Sequence, residues 1–342
     1  MKTDLIVKIK QAKLVGRGGA SFPVATKWQA VKEALDKKKY QSFYLIINAA
    51  EGEPGVAKDR YILETQPQLF LEGVMAGVNF FGLKKTAKIY CFINKKFSRT
   101  VIKKINNLLH TPAFNALKNI WAWEIKSEIL SYLSGEETTI LNIIEERRVE
   151  PRLKPPMPVF AGLFQQPTLV NNVETFYNIA LVTKGKFENK RFYTINGKLS
   201  RPGVYHLPAN WKIEDILKLT GNWPSYKFFV QIGGDICGEF LNSRQLNQLV
   251  SGSGSITVYP WFHKQEEVVG DLLKFFKENS CGKCTPCREG TYRLLELSQN
   301  KKLYSPEFWD ILDLLKEASF CAYGKSIFLP LSSYYQNILK SK

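Results

Sequence analysis

Strand-like and helix-like patterns alternate along the first half of the chain, and this alternation constrains the fold more than any other feature. The segment Phe43–Ala49 is a short apolar run typical of a buried strand, and residues 87–94 form a second such run. Helical periodicity is present at 24–35, 66–83 and 99–109. Because parallel strands need long crossover connections, usually helices, the alternation predicts an α/β domain with a parallel sheet.

Short strand candidates replace the long helical patterns after about residue 188. The candidates lie at 192–195, 203–207, 228–232 and 256–259. A helical stretch at about 213–220 lies among them. The dipeptide Asn196-Gly197 is typical of a tight hairpin turn, because both residues tolerate positive φ. Together these features predict a small β-grasp-like module.

The last part of the chain is helical from about Glu266 onward. One apolar face is formed by Val268, Leu272, Leu273 and Phe276. The three patterns predict three domains: an α/β domain at 1–187, a β-grasp-like domain at 188–262 and a helical domain at 263–342.

The charge balance is strongly basic. The 342 residues include 48 Lys and Arg against 31 Asp and Glu, a formal net charge of +17. Such an excess can indicate nucleic-acid binding, because Lys and Arg neutralise phosphates. The basic residues are spread along the chain, however, and the longest run is Lys37-Lys38-Lys39. Solvated lysine surfaces, or docking to acidic partner subunits, are therefore favoured, and we expect no nucleic-acid partner.

No apolar run approaches the roughly 20 residues that a membrane-spanning helix needs. The first residues also lack the charged-then-apolar pattern of a secretory signal. We therefore expect a cytoplasmic protein without direct membrane insertion.

Four of the six cysteines gather near the C-terminus. Cys281, Cys284 and Cys287 have C-x2-C-x2-C spacing, and Cys321 follows far downstream. Three thiolates at this spacing can converge in a tight loop, and a fourth would complete the ligands of a [4Fe–4S] cluster. A structural zinc site is the alternative, but zinc sites usually pair two CxxC units. Thr285 and Pro286 are predicted to be the N-cap and first residue of a following helix.

Three loops carry residues suited to ligand binding. The first, Gly16-Arg17-Gly18-Gly19, leads through Phe22 into a helix that carries Lys27, and its glycines let the backbone approach a phosphate or a ring. The second, 48–55, directly follows the strand Phe43–Ala49, where ligands of open α/β sheets bind. Taken alone, a glycine-rich loop is more often just a loop, and the alternative for 48–55 is an ordinary strand-to-helix turn rich in turn formers.

The third loop, Ser134-Gly135-Glu136-Glu137, has a concrete alternative to ligand binding. Ser134 and Glu137 fit the S-x-x-E capping box, which would satisfy two backbone amides without any ligand. On spacing alone, the cap is favoured. The segments 151–158 and 167–175 are predicted to be loops.

Taken together, these blocks resemble the NADH-oxidising flavoprotein subunit of respiratory complex I and the related diaphorase subunits of NAD-linked hydrogenases and formate dehydrogenases. The resembling blocks follow the family's order: GRGGASFPVATKW (16–28), NAAEGEPGVAKDR (48–60), GEETT (135–139), PRLKPPMP (151–158), PTLVNNVET (167–175), RPGVY (201–205), CGKCTPCREGT (281–291) and FCAYG (320–324). They cover nearly the whole chain.

The resemblance implies a Rossmann-like FMN-binding domain, a β-grasp domain of the soluble-ligand-binding type and a helical domain with one [4Fe–4S] cluster. It implies that Phe22, Glu53 and Glu137 help to seat NADH over the flavin. It implies cluster ligation by Cys281, Cys284, Cys287 and Cys321. The residues implied to bind the flavin are Gly16, Arg17, Gly18, Gly19, Lys27, Asn48, Glu51, Gly135, Glu136, Asn171 and Asn172.

The resemblance also implies partners, namely a thioredoxin-like [2Fe–2S] subunit and a multi-cluster subunit of a larger oxidoreductase complex. Through them the chain would lie peripherally on the inner face of the membrane. The expected function is oxidation of NADH through FMN with single-electron transfer to the cluster.

Several positions depart from the family pattern. Ala50 replaces an acid, Ser21 a glycine, and Lys325 stands where an acid is common. Ala30 and Met157 stand where members often carry phenylalanine. These changes keep a second function open: a non-catalytic electron-relay or assembly subunit with impaired NADH binding. A third hypothesis is a zinc-stapled module whose β-grasp domain binds a ligand.

Overall fold

The computed structural model describes residues 2–36, 40, 42–126, 132–261 and 265–340. The lysine run at 37–39 and part of the segment before Tyr132 lie outside these ranges. The chain divides into two compact units. The first comprises the described residues within Met1–Gly52, Ala57–Leu130 and Ser134–Asn189, and the second those within Glu53–Val56, Ser131–Leu133 and Lys190–Lys342. The sequence-based division into three domains stays a prediction.

A four-stranded parallel sheet forms the centre of the first unit, in the order β3-β2-β1-β4. The side chains of Leu45, Ile46 and Ile47 are all fully buried, as expected for a parallel strand covered on both faces. The predicted parallel α/β fold is confirmed. The strands are β1 (Phe43–Ala49), β2 (Thr86–Asn94), β3 (Trp121–Lys126) and β4 (Thr168–Asn172).

Strand β4 corrects the prediction that 167–175 is a loop. Its backbone pairs in parallel with β1, from Tyr44 opposite Thr168 to Asn48 opposite Asn172. The pairing with a buried neighbour outweighs the low strand propensity of the two asparagines.

Helices cover the sheet of the first unit. Helix α4 crosses α9 so closely that a Cβ at Gly73 would overlap the carbonyl of Phe176, which explains a glycine inside this helix. The helices are α1 (Lys2–Gln11), α2 (Val24–Asp36), α3 (Lys58–Thr65), α4 (Pro67–Phe81), α5 (Lys95–Leu109), α6 (Asn115–Lys118), α7 (Glu137–Ile144), α8 (Pro158–Ala161) and α9 (Val173–Thr183). Short 3₁₀ turns lie at Leu83–Lys85, Tyr132–Gly135 and Leu163–Gln165.

The second unit contains a five-stranded sheet in the order β6-β5-β9-β7-β8, with α10 (Ile213–Leu219) packed on its core. The strands are β5 (Lys190–Gly197), β6 (Gly203–Pro208), β7 (Phe228–Ile232), β8 (Glu239–Asn242) and β9 (Ser255–Pro260). The central pair β5–β9 is parallel and the other pairs are antiparallel, which is a β-grasp arrangement.

One turn prediction in this sheet is wrong. Asn196 and Gly197 do not form the hairpin turn but end β5, where they pair with β9. The β5–β6 connection runs through 198–202 instead. The pairing with β9 extends the strand through the dipeptide, so the turn begins after it.

Among the residues that the structure describes, five further helices complete the second unit. Val268, Leu272, Leu273 and Phe276 point into a core shared with the later helices, as predicted. The helix after the cysteine loop begins at Thr285, and its N-cap is Cys284 rather than the predicted Thr285. The helices are α11 (Gln265–Glu278), α12 (Thr285–Gln299), α13 (Pro306–Ala318), α14 (Ala322–Ser326) and α15 (Phe328–Tyr334), followed by a π-helical turn at Tyr335–Leu339. Within the described ranges, every helix is too short or too polar to cross a bilayer.

Candidate functional site

Three predicted loops of the first unit meet at the carboxyl edge of β1 and β4. Asn48 and Asn172 lie opposite each other at the ends of these strands. The side-chain amide of Asn48 donates to the carbonyl of Gly135 at 2.8 Å. A Cβ at Gly18 would lie 3.5 Å from Cβ of Asn172. The glycine loop, the loop after β1 and the loop carrying Gly135 are therefore neighbours.

The glycine loop closes on itself and leads into α2. The amide of Gly16 donates to the carbonyl of Phe22 at 2.8 Å, while the Phe22 ring is 50% exposed. Nothing lies within 4 Å of a Cβ placed on Gly19, whose φ is +106°. A glycine at positive φ with open space around it leaves its backbone accessible to a ligand.

Arg17 belongs to this loop, but its side chain is buried. Its amide donates to Oγ1 of Thr175 at 3.1 Å, and its Nε lies 3.9 Å from the carboxylate of Glu174. The guanidinium thus lies beside an internal carboxylate.

Lys27 and Glu137 form a close ion pair. Nζ of Lys27 lies 2.6 Å from Oε2 of Glu137 and donates to the carbonyl of Val170 at 2.9 Å. Both side chains stay partly exposed. The structure thus brings a predicted flavin-binding cation and a predicted nucleotide-binding carboxylate together.

Glu136 caps α7, which corrects the expected capping box of Ser134 and Glu137. Its Oε2 accepts from the amides of Thr138 and Thr139, each at 2.8 Å, and its Oε1 lies 3.1 Å from Nζ of Lys154. Burial alone would raise the pKa of Glu136, but Lys154 and these donors outweigh burial and lower it. The capping carboxylate lies immediately before the helix, so Ser134 is too far upstream to cap it.

Ser134 is instead completely buried. Its hydroxyl has no hydrogen-bond partner among the described residues. This hydroxyl is next to Gly135, whose carbonyl accepts from Asn48 at the same edge of the sheet, and an unsatisfied buried polar group here is one that a bound polar ligand can satisfy. This observation fits FMN.

A buried charge network beneath this edge was not predicted from the sequence. Lys58, Asp59 and Glu174 are each at most 3% exposed. Nζ of Lys58 lies 2.7 Å from Asp59 and 3.2 Å from Glu174, and it donates to Asn172 at 3.0 Å. Burial opposes the charge of Lys58, but the two carboxylates outweigh burial and raise its pKa. The sequence feature that could have indicated this network is Glu174, an acid at the start of the apolar helix α9.

The remaining predicted flavin residues contact this network or the core. Asn172 also caps α9 and donates to Asp59 at 2.6 Å. Oxygens of Glu51 accept from the amides of Asp59 and Arg60 at 2.6 and 3.1 Å. Burial, assisted by Asp59, raises the pKa of Glu51. With its amide oriented to satisfy both neighbours, Asn171 accepts from Nε1 of Trp28 at 2.9 Å.

Glu53 belongs to the second unit, where its carboxylate is engaged by several donors. Oε1 accepts from the amides of Ile236 and Cys237 at 2.9 and 3.4 Å, and Oε2 accepts from the hydroxyl of Tyr132. Burial raises the pKa of Glu53. The amide of Asn196 donates to the carbonyl of Gly55 at 2.6 Å. These bonds anchor the segment Glu53–Val56.

The four predicted cluster cysteines lie in one helical core. Cys284 and Cys287 are 6% and 5% exposed, while Cys281 and Cys321 are partly buried. Burial raises the pKa of Cys287 to about 11, and the other three thiols add to the rise. All six cysteines of the chain are free of disulfide bonds.

The donor set fits an iron–sulfur cluster. Four cysteines gathered in one core match the four-thiolate ligation that such clusters use. The hydroxyl of Ser280 lies 3.4 Å from Sγ of Cys287, and the amides of Tyr323 and Gly324 bond to Cys321. In the described part of the chain, no three His, Cys, Asp or Glu side chains are grouped so as to hold a single metal ion.

Two family models match the chain. The model described as the Nuo51 FMN-binding domain matches residues 9–181, and the NADH-ubiquinone oxidoreductase-F iron–sulfur binding region matches residues 267–339. The fold and the two sites thus define a flavin- and iron–sulfur-binding electron-transfer protein.

Curated relatives agree with this class. An F subunit of NADH-quinone oxidoreductase from Rhizobium meliloti is 30% identical over 94% of this chain and 83% of its own length. The F subunit of NADH-quinone oxidoreductase from Streptomyces coelicolor is 31% identical over 96% of this chain and 80% of its own length. The chain therefore belongs to the family of NADH-quinone oxidoreductase F subunits.

A chain of the NAD⁺-reducing [NiFe]-hydrogenase in the H2-reduced state shares the fold, with a TM-score of 0.88 and 24% identity. The match covers 99% of this chain and 62% of the hydrogenase chain.

Proposed function

We propose that this chain oxidises NADH at an FMN bound to the first unit and passes single electrons to a [4Fe–4S] cluster on the second unit. The observation that carries the proposal is the meeting of three loops at the carboxyl edge of β1 and β4, joined by the Asn48–Gly135 bond. FMN accepts a hydride and returns electrons one at a time, so it links a two-electron donor to a one-electron acceptor.

The glycine loop and Lys27 would hold the flavin. Backbone amides of Gly18 and Gly19 can approach a phosphate, since no side chain separates them from it. Gly16 would support them by closing the loop through its bond to the Phe22 carbonyl. Lys27 supplies a cation at the same edge, fixed by Glu137 and the Val170 carbonyl.

The polar side chains at the strand ends would fix the orientation of the flavin. Asn48, Asn171 and Asn172 lie at the carboxyl ends of β1 and β4. The fixed positions of Arg17, Glu51, Gly135 and Glu136 shape the walls around them. Their hydrogen bonds to neighbouring backbone preorganise the cradle before any ligand arrives.

Phe22, Glu53 and Glu137 would orient NADH. The half-exposed Phe22 ring offers a face for stacking, and the carboxylates can accept hydrogen bonds from ribose or amide groups. Hydride transfer needs no general base, so the presence of only three histidines is no obstacle.

A diaphorase assay tests the enzymatic part. The purified chain should reduce ferricyanide with NADH, and Glu137→Gln should raise KM more than it lowers kcat if Glu137 contributes uniform binding. Glu33→Gln, on the exposed face of α2, is the matched control and should leave both constants unchanged. Equal kinetics for Glu137→Gln and the wild type would contradict the role of Glu137.

A second candidate is an electron-relay or assembly subunit that has lost NADH binding. Two observations favour it: Glu53 already accepts from Tyr132, Ile236 and Cys237, and alanine stands at positions 30 and 50. Under this function, FMN and iron are present but NADH does not quench the flavin fluorescence. Saturable quenching by NADH would exclude this function.

We also propose a thioredoxin-like [2Fe–2S] subunit and a multi-cluster subunit as partners, which would keep the chain peripheral to the inner membrane face. The family and the net charge of +17 support docking to acidic surfaces. Affinity purification of the tagged chain from its own cells should recover both partners, and the recovery should fall with added salt. Recovery of the chain alone at low salt would contradict the proposal.

A further inference from the structure

The segment between α13 and α14 carries a buried hydroxyl next to the cluster cysteines. Ser319 directly follows α13 and precedes Cys321 by two positions. Its side chain is 3% exposed, and its Oγ has no hydrogen-bond partner among the described residues. Proteins rarely leave a buried hydroxyl unsatisfied, because the hydroxyl loses its bonds to water on folding.

Gly324 locates this hydroxyl relative to a predicted ligand. A Cβ placed on Gly324 would overlap Oγ of Ser319 and would lie 3.3 Å from Cβ of Cys287. Ser319 and Cys287 therefore approach the same glycine. The hydroxyl thus lies close to Cys287, and Ser319 is two positions before Cys321, the predicted ligand from the other segment.

A second serine contacts the same cysteine. Oγ of Ser280 accepts from the amide of Gly282 at 3.3 Å and lies 3.4 Å from Sγ of Cys287. Accepting this bond leaves the single hydroxyl proton of Ser280 free to be donated to a cluster-ligating thiolate at Cys287. Two serine hydroxyls thus lie close to Cys287.

We propose that the Ser319 hydroxyl donates a hydrogen bond to a sulfur atom of the [4Fe–4S] cluster and thereby raises the reduction potential of the cluster. Hydrogen bonds to cluster sulfurs stabilise the more negative, reduced state, and they are a principal means by which proteins set these potentials. Ser280 adds a second donor of the same kind. The inference rests on the cluster site of the proposed function.

The experiment uses the purified, FMN- and iron-loaded chain and the variants Ser319→Ala, Ser280→Ala and Ser332→Ala. Ser332 is the matched control, since it is a buried serine whose hydroxyl bonds to Leu329 inside its own helix. Iron and sulfide contents, an EPR-monitored redox titration and pulsed EPR after exchange into D2O are the three measurements.

We expect Ser319→Ala to retain iron and sulfide and to lower the ratio of reduced to oxidised cluster about tenfold at a fixed potential, or about 59 mV for one electron. One strong deuteron coupling should disappear with the hydroxyl. Ser332→Ala should match the wild type in all three measurements.

An unchanged potential together with an unchanged deuteron coupling in Ser319→Ala would overturn the inference. If Ser319→Ala fails to assemble the cluster, the test is made on Ser280→Ala. This variant should retain the strong deuteron coupling of the Ser319 hydroxyl in pulsed EPR after exchange into D2O, and loss of that coupling would also overturn the inference. Wild-type protein without iron and sulfide is a different result, because it contradicts the cluster itself rather than the role of Ser319.

Discussion

Removal of the Lys58 ammonium should strongly destabilise the first unit. Lys58 lies 2.7 Å from Asp59 and 3.2 Å from Glu174, and all three side chains are buried. In Lys58→Met the two carboxylates keep their burial but lose the shared cation. Breaking a buried ion pair in this way costs about 3–5 kcal/mol. Total stabilities are about 5–15 kcal/mol, so this loss is a large fraction of the whole.

Urea unfolding of the cofactor-free chain, followed by tryptophan fluorescence, measures this loss. Cofactor-free protein is used because a bound ligand adds its own binding energy to the apparent stability. The double variant Lys58→Met with Glu174→Gln should recover part of the loss, since one uncompensated charge is then removed.

Lys32→Met is the matched control for a solvent-exposed lysine. Lys32 pairs with Asp36 on the surface of α2, where an ion pair contributes about 0–1 kcal/mol. A Lys58→Met loss no larger than the Lys32→Met loss would refute the conclusion that the buried network stabilises this unit.

Three further predictions concern pH, backbone geometry and the cluster. Folding raises the pKa of Glu51 from 4.5 to about 8, so the folded state favours the protonated carboxyl, and the stability that this proton contributes is lost as the pH rises from 4.5 to about 8. Urea unfolding midpoints measured across this pH range should therefore rise for Glu51→Gln relative to the wild type. Midpoints of the two proteins that change in parallel with pH would contradict the burial of this carboxyl. Gly55→Ala should destabilise the second unit by about 1–3 kcal/mol in thermal or urea unfolding, because Gly55 has φ +74° and the new Cβ would overlap the Asp235 carboxylate. The control Gly185→Ala, at φ +67° with open space around the new Cβ, should lose less stability. Equal losses in the two variants would show that the backbone conformation alone, and not the overlap with Asp235, sets the loss. Cys287→Ser should lose most of its bound iron but retain FMN, as measured by an iron assay and by flavin absorbance. A full iron content in this variant would show that Cys287 is not a cluster ligand.

Local patterns were sufficient to predict β1, whose bounds Phe43–Ala49 match the structure, and the apolar face of α11. They were insufficient for β4, because Thr168–Asn172 becomes a strand only through pairing with β1. The same cause moved the turn beyond Asn196-Gly197, where pairing with β9 extends β5. Long-range pairing is not encoded in a short window of sequence.

The candidate site shows the same limit. The glycine loop, the strand-end asparagines and the four cysteines could be selected from motif spacing and resemblance. The cap on α7 could not be predicted, because Ser134 is a preferred N-cap residue type and glutamate is not, and only the chain path places Glu136 directly before the helix. The burial of Lys58 could not be predicted either. A lysine is expected at the surface unless buried carboxylates compensate its charge, and one of the two carboxylates here comes from a distant segment.

The central claim is that NADH reduces a flavin on this chain and that the electrons reach the cluster. An ultraviolet–visible spectrum of anaerobically purified protein, recorded before and after adding NADH, tests it most directly. We expect NADH to bleach the flavin absorbance and also to lower the broad iron–sulfur absorbance. Flavin and cluster bands that dithionite bleaches but NADH leaves unchanged would contradict the claim.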